Sequence, residues 1–146
     1  MRQNQLPIQL TTSAKLKSDQ WPVTSDELRQ FAERYAKAWC SHDPGAVVSF
    51  YARNASISVN DGAPALIEDV ARSFMHDFPD LIVSFDKLES RGEQTVFHWT
   101  LTGTYAPNGN RVEISGYELW KIDGDGLIAE SKGHFDAADY DRQTRR

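Results

Sequence analysis

The sequence predicts an α+β domain, with helices first and a mostly antiparallel sheet after them. Apolar residues recur with helical spacing as far as Asp80 and with the two-residue period of strands beyond it. Arg91-Gly92, Pro107-Asn108-Gly109 and Asp123-Gly124-Asp125-Gly126 then divide the second half into hairpins. A chain of 146 residues fits one such domain rather than two. Folding at that size hides roughly 68% of the extended chain's surface, enough for a core with a ligand-sized hollow in it.

Residues 1–22 are polar, carry no sustained period and contain the breakers Pro7 and Pro22, so they are expected as an arm outside the domain. Thr24-Ser25-Asp26-Glu27 supplies N-cap candidates and early negative charge for a first helix. Leu28, Phe31, Ala32, Tyr35, Ala36, Trp39 and Cys40 follow at the spacing of one wide buried stripe. Asp43-Pro44-Gly45 ends that helix, and 46–51 reads as a short second one. A strand over 55–59 precedes the turn Asn60-Asp61-Gly62. Residues 65–77 read as a third N-terminal helix with Leu66, Val70, Phe74 and Phe78 inward. Strands are expected over 81–88, 95–105, 111–122 and 127–135, which places the domain at 23–137. The charged run 138–146 reads as a polar, solvated tail.

Composition removes several function classes. Sixteen Lys and Arg against 21 Asp and Glu leave a net charge of −5, which repels a phosphate backbone, so no nucleic acid is expected as a partner. No apolar run approaches the length that spans a membrane. The opening Met1-Arg-Gln-Asn-Gln-Leu-Pro lacks the apolar stretch of a secretory signal, and a cytoplasmic protein is expected. One Cys excludes an internal disulfide and any Cys-based zinc site. His134-Phe135-Asp136 and His76-Asp77 are isolated pairs without metal-ligand spacing, so no metal and no cofactor are expected. Gly-Asp-Gly at 124–126 precedes a strand rather than a helix, which makes it turn chemistry and not a phosphate loop. Cys40 lies on the core stripe, where a thiol acts as a small apolar group.

The most informative segment is 112–122. Alternation puts Val112, Ile114, Gly116, Glu118, Trp120 and Ile122 on one face, so Glu118 is the lone carboxylate on an apolar surface. A buried carboxylate pairs or takes up a proton at raised pKa, and in that state it can serve as an acid or hydrogen-bond donor. A shifted register, or a basic partner at the sheet end, is the structural alternative. Tyr35 and Trp39 lie one helical turn apart on the buried stripe, each an apolar body with a polar tip. His98 alternates with Phe97, Trp99 and Leu101, and pattern alone turns those three inward. If instead they pair two subunits, His98 and Thr100 line an interior hollow; periodicity leaves both arrangements open.

These segments also resemble a known family. Glu33-Arg34-Tyr35-Ala36-Lys37-Ala38-Trp39-Cys40-Ser41-His42-Asp43, the run Val48 to Ile57, and the run Ser115 to Ile128 resemble the nuclear transport factor 2-like superfamily. The nearest branches are the SnoaL-like polyketide cyclases and the ketosteroid isomerases. The resemblance spans about 26–137 and implies a cone, with helices packed into a strongly curved sheet and a pocket opening at one end. It is specific for fold and not for reaction. It places Tyr35 where the isomerases have their oxyanion tyrosine. It places Glu118 where isomerases have a protonated aspartic acid and cyclases an acid/base aspartate. It puts Trp39, Phe74, His98, Thr100, Trp120, Ser131 and Phe135 around the hollow. Val59 falls where the isomerases carry their general base, and Asp61 sits two residues beyond it in a turn.

The function expected is proton transfer, as cyclisation, isomerisation or dehydration, on a hydrophobic carbonyl or polyketide-like small molecule. Glu118 is the expected acid/base, with His98 as its partner and Tyr35 as oxyanion donor; Val59 is counted among the substrate-binding positions. The competing expectation is a ligand-binding or dimerisation module with the same pocket and no turnover. A homodimer is expected to pair through Tyr117 and Leu119 on one strand and Phe97, Trp99 and Leu101 on the next.

Overall fold

The computed structural model describes residues 25–145, so the expected arm at 1–22 lies outside the described residues. The elements in chain order are α1 (Ser25–Cys40), α2 (Pro44–Val48), β1 (Tyr51–Val59), α3 (Ile67–Asp77), β2 (Ile82–Arg91), β3 (Gln94–Tyr105), β4 (Asn110–Ile122), β5 (Ile128–Phe135) and α4 (Ala137–Arg145). The five strands form one open sheet in the order β1-β5-β4-β3-β2. β1 and β5 run parallel, and every other neighbouring pair is antiparallel. Register shifts between Phe85 and Lys87 and between Lys121 and Ile122 insert bulges, which bend the strands that carry them.

α1 forms as its stripe predicts. Asp26 and Glu27 occupy the first turn and Lys37 the last, which suits the helix dipole at both ends. Ala32, Tyr35, Ala36, Ala38 and Trp39 are buried against the sheet. α2 starts earlier than 46 because the Asp43 side chain accepts from the Gly45 N–H at 2.9 Å and Pro44 opens the helix. β1 in turn begins at Tyr51 rather than at residue 55. Tyr51 pairs with Ile128 and Ser56 with Glu130, so β1 advances five residues while β5 advances two. That irregularity removes the alternation by which a strand is recognised.

The inner face of the sheet carries Val112, Ile114 and Trp120 from β4 and Phe97 and Leu101 from β3, all buried. Phe97 stacks on Trp120 with centroids 4.8 Å apart, and full burial of an aromatic side chain of this kind contributes about 1.5–3 kcal/mol. Three of the residues expected to pair two subunits, Phe97, Trp99 and Leu101, therefore turn inward, and Tyr117 and Leu119 are on the opposite face.

Two expectations are corrected. The helices are not all N-terminal: four occur among the described residues, α3 follows β1, and α4 closes the domain. α4 occupies the segment read as a solvated tail. Its only large apolar residue is Tyr140, which packs on Phe78 and Phe135. The rest of the docking is polar. The Gln143 side chain accepts from the Glu113 N–H at 2.8 Å and donates to the Glu113 carbonyl at 2.9 Å. Asn108 and Asn110 donate to the carbonyls of Thr144 and Gln143. An apolar stripe is the sequence signal for a docked helix, and side-chain amides leave none.

Candidate active site

The inner faces of β3, β4 and β5 meet in two rows that define the site. Phe97, Glu118 and Gly133 pair across one row, and Trp99, Gly116 and Phe135 across the next. Trp39 of α1 and Val70 and Phe74 of α3 complete the wall with Ile57 and Val59 of β1 and Val83 and Leu101. The hollow has a cavity volume of about 60 Å³. Glu118 is the only ionisable residue lining it among the described residues.

Four donors converge on the Glu118 carboxylate. Oε1 accepts from the Trp120 indole N–H at 2.8 Å, the Ser131 hydroxyl at 2.8 Å and the Tyr35 hydroxyl at 3.0 Å. The Tyr51 hydroxyl lies 3.4 Å from the same oxygen and 2.8 Å from the Tyr35 oxygen. Tyr35 donates to Glu118, and the single Tyr51 proton lies between the Tyr35 oxygen and Glu118 Oε1. Oε2 has a single long contact, Tyr35 at 3.3 Å. One oxygen is thus held by protein donors, and the other keeps a lone pair, on a residue that lines the hollow.

Opposing effects set the proton affinity of this carboxyl. Burial raises the Glu118 pKa above the ordinary carboxylate value. The hydrogen bonds from Trp120, Ser131, Tyr35 and Tyr51 favour the anion and pull the other way, and burial prevails. Burial and then the nearby Glu118 charge push both Tyr35 and Tyr51 well above the usual phenol value, so both stay protonated as donors. The register alternative is thereby answered: Glu118 is 6% exposed, and its polar partners are neutral.

The expected site residues divide into three groups. Trp39, Val59, Phe74 and Phe135 line the hollow. Tyr35, Trp120 and Ser131 stand behind Glu118 and hold it; Tyr35 is fully buried with its hydroxyl engaged, so it is not placed as an oxyanion donor to a ligand. His98 and Thr100 are corrections. His98 pairs with Tyr117, one step out of phase with Glu118, and so lies on the outer face. Its Nε2 is 2.6 Å from Glu89 Oε1, and that bond lowers the Glu89 pKa. Thr100 donates to Asp86 at 2.7 Å on the same face. Pattern alone had turned Phe97, Trp99 and Leu101 inward, and the structure follows it.

Asp61 is exposed in the turn with φ 64° and does not line the hollow, so Val59 has no carboxylate standing in for it there. Of the polar groups bonded to Glu118, Tyr51 is the one that the sequence analysis missed, because the irregular start of β1 hides its face. Among the described residues no group of three His, Cys, Asp or Glu side chains is placed to hold a metal ion. No described helix is long and apolar enough to cross a membrane.

Comparison with known proteins matches residues 32–131 to the model of the SnoaL-like domain. No curated protein matches. Solved structures do, at low identity and with closely similar folds. TsrD from Streptomyces laurentii superposes with a TM-score of 0.73 at 19% identity, covering 85% of this chain and 98% of that one. AclR from Streptomyces galilaeus, assigned as a hydroxylase, gives 0.72 at 15% identity over 83% and 97%. A protein from Jannaschia assigned as a SnoaL-like polyketide cyclase gives 0.69 at 16% identity over 88% and 98%.

Proposed function

The chain belongs to the SnoaL-like family, and within it we propose an enzyme that transfers a proton on a hydrophobic carbonyl compound, with Glu118 as the acid/base. The observation that carries this reading is the asymmetry of the Glu118 carboxyl. Oε1 is fixed by Trp120, Ser131 and Tyr35, while Oε2 keeps a lone pair or a proton for a ligand in an apolar hollow. A carboxyl with a raised pKa can take up a proton in one step and return it in the next. As a carboxylate, Oε2 takes a proton from the carbon beside a ligand carbonyl, leaving an enolate. As the acid formed by that step, it returns the proton to the same or a conjugated carbon, and no other reactant is consumed. Tyr35 and Tyr51 orient the carboxyl and keep their own protons. Cyclisation, isomerisation and dehydration all contain such a step, and a ring of fused apolar type fits the Trp, Phe and Val walls.

The test uses 2-tetralone, a bicyclic ketone, in deuterium oxide, with incorporation beside the carbonyl followed by NMR. Wild type should exceed buffer and depend on Glu118. Binding of 2-tetralone with no acceleration would favour the binding module instead. His98→Ala, altered on the outer face, should leave the exchange rate unchanged. A fall comparable to that of a Glu118 variant would put His98 in the proton path and contradict the assignment.

A further inference from the structure

A second polar group belongs to a residue that lines the same hollow. Trp99 lines it, and its indole N–H is buried with no hydrogen-bond partner among the described residues. Buried donors are paired in nearly all proteins, so an orphan on a residue of a cavity wall calls for an explanation. The other inner-face indole on the sheet, Trp120, has its N–H engaged by Glu118. Trp99 has no comparable neighbour, because the position across from it is Gly116.

Gly116 is what seats the Trp99 ring. A Cβ at that position would come 2.3 Å from the His134 carbonyl oxygen and 2.6 Å from Trp99 Cζ2, closer than real Cβ atoms approach. The indole therefore lies across β4 over a residue without a side chain, edge-on to Phe135 at 6.2 Å between centroids. Glu118 stands two residues further along β4 on the same face, about 7 Å along the strand. Two donor or acceptor positions are thus held at different depths in an otherwise apolar wall, one by Glu118 and one by Trp99.

We propose that Trp99 is a specificity-determining residue whose indole N–H donates to a second oxygen of the ligand, so that the ligand class is a hydrophobic carbonyl compound bearing two separate oxygen acceptors. This rests on the reading of the hollow as a carbonyl site, and it narrows it. A ligand with one oxygen satisfies Glu118 and leaves the Trp99 donor unpaired. A ligand with two satisfies both, and a site with an unfilled buried donor discriminates against the analogue that lacks the acceptor.

The experiment titrates the wild-type protein with three probes: tetralin with no oxygen, 2-tetralone with one, and 6-methoxy-2-tetralone with two. Proton–nitrogen NMR follows the indole N–H signals, and Trp99→Phe identifies the Trp99 signal by its loss. The Trp99 signal should move downfield with 6-methoxy-2-tetralone and not with tetralin. Trp99→Phe should weaken 6-methoxy-2-tetralone about fivefold more than tetralin, the effect of one neutral hydrogen bond. An unmoved Trp99 signal, or equal weakening of the two probes, would overturn the Trp99 assignment while leaving Glu118 untouched. The wild-type signal carries the test even if the variant does not fold. The Glu118 reading has its own readout, the Glu118-dependent deuterium exchange of 2-tetralone. Failure of all three probes to bind would overturn both.

Discussion

Glu118→Gln should lower the protein-catalysed deuterium exchange of 2-tetralone by about 10²–10⁴-fold, the usual worth of a positioned general acid or base. The substitution is chosen to change one property. Glutamine has the same length, and its carbonyl can accept from the Trp120 N–H and the Ser131 hydroxyl as Oε1 does. Its amide can occupy the place of Oε2 beside the hollow and still donate to a ligand carbonyl. What it cannot do is exchange a proton. The affinity for 2-tetralone should therefore stay close to that of wild type while the rate collapses. A loss of affinity with little loss of rate would make Glu118 a ligand-positioning group.

Trp120→Ala should destabilise the native state by about 3–5 kcal/mol, read as a lower urea midpoint. Trp120 is fully buried. It stacks on Phe97 at 4.8 Å, meets Tyr35 edge-on at 5.1 Å and Phe31 at 5.6 Å, and donates to Glu118. Alanine leaves a cavity behind the carboxyl and takes away a donor. Trp120→Phe weights the two losses differently, because it keeps part of the aromatic packing and removes the N–H. That variant should cost about 1.5–3 kcal/mol, the range for a hydrogen bond to a charged group. Because Trp120 favours the Glu118 anion, its loss should also move the Glu118 pKa further up. A change of about 0.5 kcal/mol for Trp120→Ala, the scale of a surface substitution, would contradict this packing.

Much of the domain was legible in the residues, and the reasons differ from part to part. α1 and β4 were read from long, unbroken periods, seven stripe positions in one and six alternating positions in the other. Glu118 stood out because a carboxylate interrupts an apolar face, and that is a chemical signal as well as a geometric one. Trp39, Phe74 and Phe135 border the hollow where the family resemblance put them. Tyr35 was placed on the correct face, but a face does not say which atom a hydroxyl meets. Its engagement by Glu118 and Tyr51 depends on β1, whose five-against-two register carries no period. α4 was missed because amide side chains dock it, and these look like surface residues. The Trp99 donor was invisible for the converse reason: an indole on an apolar face reads as core whether or not its N–H has a partner.

The Glu118 carboxyl holds its proton more tightly than an exposed glutamate does. The native state then keeps a proton that the unfolded chain releases. Its contribution to stability is whole below the unfolded pKa and is lost as pH rises through the higher folded value. The direct measurement is carbon-13 NMR of the side-chain carboxyls against pH, with the Glu118 signal identified by its loss in Glu118→Gln. The Glu118 midpoint should lie above the ordinary value of about 4.3, with the neutral Trp120, Ser131, Tyr35 and Tyr51 donors as its close polar partners among the described residues. A midpoint at or below that value would contradict it, and with it the assignment of Glu118 as the acid/base.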